Sequence, residues 1–412
     1  MPDSGEVDEE SVGSRIAMFR NLAGYTQREF ADHSHLSLGA IRKVEQGERV
    51  PTYGFLNTAA RTLAVSVEQL NGQPYPSRER ADARVHAPIV AVREIARAYD
   101  LPPEWRPAPR PLDAVAREVD LATRYRAAAR YTALGEMLPA LLEELTACAH
   151  HLHGKARYRA ARLLASCYYM AYCLASRLGY VDLASILEER LQWASSLADD
   201  PLSIGLSQWT RANGFQVAKD YDTGLRLLER SYDQLWDTVR TDTSGPAVTL
   251  LGSIRLRQVT QASRARDEDA TAHYFDEARR LAERVPGGVD LVHYHLTFGP
   301  VNTTVHDIAA QIELKHVDVA AERARALHLP ASMPRTRRGH HLIDAARAFI
   351  AIGDHDASLV ALQKARAVAP QQTRYHPMAR EAMHVLAGHR RKANEEVRAL
   401  AAWFGSSTTG AT

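Results

Sequence analysis

Several polar clusters in the 412-residue chain have side-chain types that could grip a ligand. The first runs from Gln208 to Asn213 and includes Arg211; the second holds Arg255, Arg257 and Gln258, with Gln261 close by. Asn302 to His306 form a third cluster, and Arg337, Arg338, His340 and His341 a fourth. Gln258 and Gln261 are one helical turn apart, as are Asn302 and His306, so on helices each pair can face one target. Asn and Gln amides each offer a donor and an acceptor, which suits an extended peptide backbone. Arg338 and His341 could receive a carboxylate or a phosphate. Helix caps and exposed polar positions use the same residue types, and that alternative stays open.

No grouping suits bond-making chemistry. There is no G-x-S-x-G elbow, no Walker loop and no G-x-G-x-x-G after a strand, so no enzyme activity and no cofactor are expected. Histidines cluster at His150, His151 and His153, at His293 and His295, and at His340 and His341. None of these groups has the i, i+4 spacing of H-E-x-x-H, and adjacent histidines on a helix point apart, so no metal is expected. Cys148, Cys167 and Cys173 form no C-x-x-C pair, which suits a reducing compartment and packed helix positions.

The elements that must position these residues are helical. A content of 45% hydrophobic and 24% charged residues can bury a large core, and the length implies two or more domains. No run of about 18 uncharged apolar residues exists. The opening MPDSGEVDEE is acidic where a secretion signal would be basic and then apolar, so a cytoplasmic chain with no membrane contact is expected. A formal charge of +2 is too small to announce nucleic-acid binding, and that case must rest on a motif.

Val12, Ile16, Phe19 and Ala23 lie on one helical face, closed by Gly24. Thr26-Gln27-Arg28-Glu29 is a capping box that opens a second helix. Ser37 can cap a third helix that turns Ala40, Ile41 and Val44 inward and leaves Leu38, Gly39, Arg42 and Lys43 facing out. Phe55, Leu56, Ala59 and Leu63 mark a fourth helix, and Ser66 to Gln69 repeat the capping box for a fifth. On an exposed face Arg42 and Lys43 would ordinarily be solvated charges, and Arg49 could pair with Glu45.

The stretch TQREFADHSHLSLGAIRKVEQGERVPTYGFLNTAARTLAVSVEQL resembles the Cro and phage-repressor type helix-turn-helix of the xenobiotic-response-element family. That resemblance implies that the helix beginning at Ser37 enters the major groove of a double-stranded DNA operator. It makes Gln27 a phosphate or base contact at a helix N-terminus, and Leu38, Gly39 and Arg42 neighbours of base edges. Arg42 would bind guanine bidentately and Lys43 would neutralise a phosphate. Gly39 stands where relatives often carry a polar side chain, so direct readout is expected to be sparse.

The domain organisation follows. Residues 1–10 read as a disordered acidic tail, 11–72 as the helix-turn-helix domain, 73–112 as a proline- and arginine-rich linker, and 405–412 as a disordered tail. Ile89, Val92, Ile95, Ala96 and Tyr99 form one face of a helix within the linker, too small to fold alone and due to dock on the next domain or a second chain. Residues 113–404 read as almost wholly helical. Asp182, Asp222, Asp318 and Asp356 recur at multiples of about 40 residues, the scale of a helix-pair repeat, with Asp269 in the missing copy. The clearest copy, from Ala351 to Pro370, resembles a tetratricopeptide repeat, and such pairs stack into a superhelix with a concave face.

The combination looks like actinobacterial regulators of the same family and, more distantly, like the peptide-sensing Rap, Rgg, NprR, PlcR and PrgX group. This implies an all-α transcription regulator whose repeat domain senses a small-molecule or peptide effector and holds a homodimer. In the peptide-sensing relatives, asparagines on the inner helices hold the ligand, and Asn213 and Asn302 match them. The alternative is a helical-repeat scaffold for a partner protein, with the helix-turn-helix as a DNA anchor.

Overall fold

The computed structural model describes residues 11–74, 80–101, 110–239, 244–389 and 395–405. The expectations for the tails at 1–10 and 406–412 lie outside these residues.

Caps and periodicity set the first five helices. α1 (Val12–Leu22) starts at Ser11, α2 (Gln27–Ser34) at Thr26, α3 (Leu38–Glu45) at Ser37, α4 (Tyr53–Thr62) at Thr52 and α5 (Val67–Asn71) at Ser66. Both capping boxes form: Thr26 N–H donates to Glu29 Oε2 at 2.7 Å, and Ser66 N–H donates to Gln69 Oε1 at 2.8 Å. Ile16, Phe30, Ile41, Leu56 and Leu70 are fully buried, each worth about 1.5–3 kcal/mol. Ala23, expected inward, is exposed because the helix ends one residue earlier, and Arg20 takes a buried place instead. A Cβ on Gly13 would lie 2.0 Å from the Val44 carbonyl oxygen, so α1 and α3 cross at a contact that only glycine allows.

The linker holds α6 (Arg80–His86), which the periodicity did not reveal, and α7 (Pro88–Arg97). Beyond it short turns fold each helix back on its predecessor through α8 (Leu112–Ala127), α9 (Tyr131–His151), α10 (Gly154–Leu178) and α11 (Val181–Leu197). The pattern continues with α12 (Pro201–Val217), α13 (Tyr221–Val239), α14 (Gly245–Ala265) and α15 (Glu268–Glu283). After a hairpin of β1 (Leu291–His293) and β2 (Leu296–Phe298) come α16 (Pro300–Glu313), α17 (Val317–Ala326), α18 (Arg335–Ala351) and α19 (His355–Val368). α20 (Pro370–Tyr375), α21 (Pro377–His389) and α22 (Glu395–Phe404) close the chain. α7 buries Ile89, Val92 and Ala96 against α9 and α11 of the same chain.

Besides their sequence neighbours, α12, α14, α16 and α18 pack on one another in turn. They form an inner layer, with α13, α15, α17 and α19 outside. The recurring aspartates belong to the outer helices: Asp182, Asp222, Asp269, Asp318 and Asp356 all sit in the first turns of α11, α13, α15, α17 and α19. There the helix dipole favours a negative charge. The turns that precede three of these helices close on Lys219, Arg266 and Lys315, with left-handed φ of 61°, 63° and 72°.

The β-hairpin departs from the helical expectation. Its strands are too short for alternation to register, and its turn places Tyr294 and His295 at φ of 47° and 64°. Side chains hold it: Tyr294 OH donates to Asp200 Oδ2 at 2.9 Å, and Arg126 donates to the His295 carbonyl at 2.9 Å. Phe298 packs so closely on Gly252 that a Cβ there would lie 2.1 Å from the ring.

The N-terminal helices and the later ones share one apolar core, which joins Ile16 and Phe55 to Ile308, Ile312 and Met378. Polar ties surround it. Glu313 accepts from Tyr53 N–H at 3.3 Å and Gly54 N–H at 3.2 Å, Lys219 Nζ donates to Thr58 Oγ1 at 2.7 Å, and Asn57 donates to the Gln216 carbonyl at 3.0 Å. Glu381 of α21 accepts from Val12 N–H at 3.2 Å, and burial pushes its carboxyl from 4.5 up to about 7. A carboxyl raised in the folded state binds more protons there than in the unfolded chain, so stability falls as pH rises from about 4.5 to about 7. Glu381→Gln keeps an acceptor for Val12 and removes this titration. In urea denaturation it should be more stable than the wild type at pH 8, by about 1–3 kcal/mol, with the gap closing near pH 4.5. A wild-type-like pH slope in the variant would contradict the assignment.

Candidate nucleic-acid interface and central cavity

Arg42, Lys43 and Gly39 are exposed on the outer face of α3, while Ile41 and Val44 are buried beneath it. A Cβ on Gly39 would meet nothing within 4 Å, so this face is open to close approach. Ser37 is exposed, with its Oγ capping Ala40 N–H at 3.4 Å, and Leu38 is half-buried. The other end of α3 is fixed by Glu45, which receives Arg20 Nε and Nη2 at 2.7 and 3.0 Å. Gln27 Nε2 donates to the same carboxylate at 2.7 Å. The Gln27 amide therefore bolts α2 to α3 in this structure, and Arg49, which could have paired with Glu45, is left with other neighbours.

Those neighbours are cations. Arg49, Arg266 and Lys315 line a small recess beside Ser37, Ala40 and Thr52. Burial first, then the nearby Arg266 guanidinium, holds Arg49 and Lys315 below their usual ranges. No ion pair joins these three to a carboxylate among the described residues. Sequence reasoning missed Arg266 and Lys315 because they lie on turns more than 200 residues from α3. Clustered cations beside an exposed helix face supply the positive potential that a phosphate backbone seeks.

Behind this surface lies a cavity of about 630 Å³, walled by α10, α12, α14, α16, α18 and the hairpin, and on one side by Tyr53, Asn57, Glu68 and Asn71 of the N-terminal helices. Asn213, Arg257, Asn302 and His306 all reach it. Arg257 Nη1 donates to Asn213 Oδ1 at 3.0 Å, Asn213 Nδ2 to Tyr172 OH at 3.1 Å, and Arg337 Nε to Asn302 Oδ1 at 2.9 Å. Thr260 Oγ1 and His306 Nδ1 are 3.4 Å apart. Burial holds the His306 ring well below its usual range and hence neutral.

Other candidates point elsewhere. Gln258 donates to Glu229 at 2.7 Å and accepts from Arg255 at 2.8 Å, and Gln261 donates to the Ala212 carbonyl at 2.9 Å. Both are spent on packing α14 against α12 and α13. Arg211 is exposed, with its guanidinium 5.9 Å from the Phe215 ring. On α18 Arg337 and His340 face the cavity in place of Arg338 and His341, a shift of one residue in helix phase. Arg126, Arg177, Arg264 and Arg347 also line it and were not anticipated. Each lies on a helix among apolar residues, where periodicity alone does not mark an inward arginine as functional.

Five capped helices with an open, basic α3 define a DNA-binding helix-turn-helix module. Residues 11–71 match the helix-turn-helix domain family. The uncharacterized HTH-type transcriptional regulator YazB of Bacillus subtilis (strain 168) is 36% identical over 64 residues, which are 16% of this chain and 93% of that protein. The chain belongs to the helix-turn-helix transcriptional regulators. The likeness is confined to the N-terminal module, and no solved structure matches the chain. No helix among the described residues is long and apolar enough to cross a membrane.

Arg42→Ala should weaken binding to a specific operator by about 1–3 kcal/mol more than binding to random DNA, as loss of a bidentate guanine contact requires. Lys43→Ala and Lys315→Ala should weaken both equally and lower the slope of log K against log salt by about one each. Fluorescence anisotropy over a salt series measures all three, and an equal loss on both DNAs for Arg42→Ala would exclude base reading by Arg42.

Proposed function

We propose that this regulator is ligand-responsive: a small molecule or peptide occupies the central cavity and biases the DNA-binding module, while the chain acts as a homodimer on a roughly palindromic operator. One observation carries this reading. The cavity wall is shared between the inner helices and the module that binds DNA, through Tyr53, Asn57, Glu68 and Asn71. An occupant would touch both, and a ligand shifts an equilibrium only through different contacts in the two states. A volume of about 630 Å³ suits an effector of drug or short-peptide size.

The stacked helix pairs support a tetratricopeptide-like reading of the second domain, with ligand-facing residues on its inner layer. Within that layer, Asn213 and Asn302 are engaged by arginine side chains rather than by caps of their own helices. Recognition helices on one face of the duplex would read half-sites one turn, about 34 Å, apart.

The test is operator binding by Asn213→Ala and Asn302→Ala, with and without a cell extract or purified compound to which the wild type responds. Both variants should keep the ligand-free operator affinity within about twofold and lose the response, because removal of effector contacts removes coupling and leaves the DNA surface intact. A full response in both would place the effector outside this cavity. Sedimentation equilibrium of the full chain should show a dimer, and a monomer on and off DNA would end the palindromic reading.

A further inference from the structure

The charge inside the cavity is not balanced. Its lining includes six arginines, Arg126, Arg177, Arg257, Arg264, Arg337 and Arg347, against four carboxylates, Glu68, Glu188, Glu313 and Asp344. Arg347 alone takes two of those carboxylates, with Asp344 at 2.9 Å and Glu313 at 3.4 Å. None of the other five guanidiniums forms an ion pair among the described residues. Arg257 and Arg337 donate to neutral amide oxygens, those of Asn213 and Asn302; Asp344 and Asp290 lie near enough to Arg337 to favour its charge but form no ion pair with it among the described residues. Arg177 lines the space beside Tyr53, Tyr131 and Tyr172 and forms no ion pair among the described residues. The histidines of the lining, His295, His306, His340 and His376, are held neutral by burial and so neither add to nor offset this charge.

Burying a guanidinium without a counter-charge costs several kcal/mol, and sequences tolerate it where an anion arrives to complete the site. The geometry suits one. The Arg257 guanidinium centre lies 3.8 Å from the centroid of the Trp209 ring, which fixes its plane, and its Nη1 points to Asn213 of the cavity lining. A guanidinium held in this way offers charge-assisted donors to a carboxylate or a phosphate that displaces the neutral amide. Three arginines from α10, α14 and α18 also repel cations, so the site selects by sign before it selects by shape.

We propose that the cavity is an anion receptor in which Arg177, Arg257 and Arg337 bind the carboxylate or phosphate groups of the effector. The proposal deepens the effector reading and rests on it for the word effector alone; the anion site stands on the arginines. Neutralising that charge next to Tyr53, whose ring already lies under Arg264 and Arg347, changes the field at the wall that the DNA-binding module supplies.

Calorimetric titration of the full chain with citrate and, separately, tripolyphosphate tests this at low ionic strength, with spermidine as the cationic control. One saturable site is expected for at least one anion and none for spermidine; the tighter anion tells carboxylate from phosphate. Binding should be at least tenfold weaker in Arg257→Met and, independently, in Arg337→Met, two variants whose folding is checked by circular dichroism and operator binding. It should be unchanged in the Arg42→Ala/Lys43→Ala variant, which removes the DNA face as the site of uptake. Absence of saturable binding by either anion, or wild-type binding in both methionine variants, overturns the anion receptor. If anions bind in the cavity yet leave operator affinity unaltered, the receptor stands and the effector reading falls. If a neutral compound changes operator affinity through Asn302 while no anion binds, the effector reading stands and the anion class falls.

Discussion

The structure turns on one buried carboxylate, Glu313, at the end of α16. Its two oxygens accept from the first N–H groups of α4, at Tyr53 and Gly54, and its charge is met by Arg347 of α18. A helix normally satisfies its orphan N-terminal amides with a local side chain, as Thr52 does here for Phe55. The other two amides of α4 look to a residue some 260 positions away. Hydrogen bonds to a charged acceptor contribute about 1.5–3 kcal/mol each, and removing one partner of a buried pair costs about 3–5 kcal/mol. The orientation of the DNA-binding module is therefore written partly in the second domain.

That dependence explains the arrangement of the inner layer. α12, α14 and α16 end at the same side of the stack, and their final turns meet α4: Lys219 at Thr58, the Arg264 carbonyl near Gly54, and Glu313 at the α4 N-terminus. The same turns bring Arg266 and Lys315 beside α3. A stack of helix pairs delivers like positions of successive repeats to one edge, so a row of basic turn residues becomes a continuous cationic shelf. Neither partner could form this surface alone.

Much of this architecture is legible in the amino-acid sequence. The capping boxes at Thr26 and Ser66 and the inward Ile41 and Val44 emerge from local rules, because each depends on residues three or four positions apart. The outward Arg42 and Lys43 follow from the same phase. The recurring aspartates mark the outer helices for the same reason, since a first-turn acid is a local preference. What the sequence hides depends on distance or on helix phase. Glu45 is claimed by Arg20 from another helix, so Arg49 could not have it. Gln258 and Gln261, apt for a ligand by type and spacing, are consumed by Glu229 and by the Ala212 carbonyl, which no periodicity announces. On α18 the boundary between lining and core falls between neighbours, and a step of about 100° separates Arg337 from Arg338.

Tyr53 belongs to α4 of the DNA-binding module and also lines the cavity. Its backbone N–H is held by Glu313, its hydroxyl lies 3.4 Å from His376 Nε2, and its ring is covered by Arg264 at 4.3 Å and Arg347 at 5.0 Å. Two residues before it the chain is Pro51, at the edge of the recess that also holds Ser37 and Ala40 at the start of α3. A change in how Arg347 divides itself between Asp344 and Glu313 alters the acceptor strength at the α4 N-terminus. It does so without breaking the apolar core that binds the module. Allosteric couplings are commonly about 1–3 kcal/mol, the scale of one charge-assisted hydrogen bond. Exchange of a single bond at Glu313 is on that scale, whereas release of the module would also have to expose the Phe55 and Ile308 core at a much larger cost.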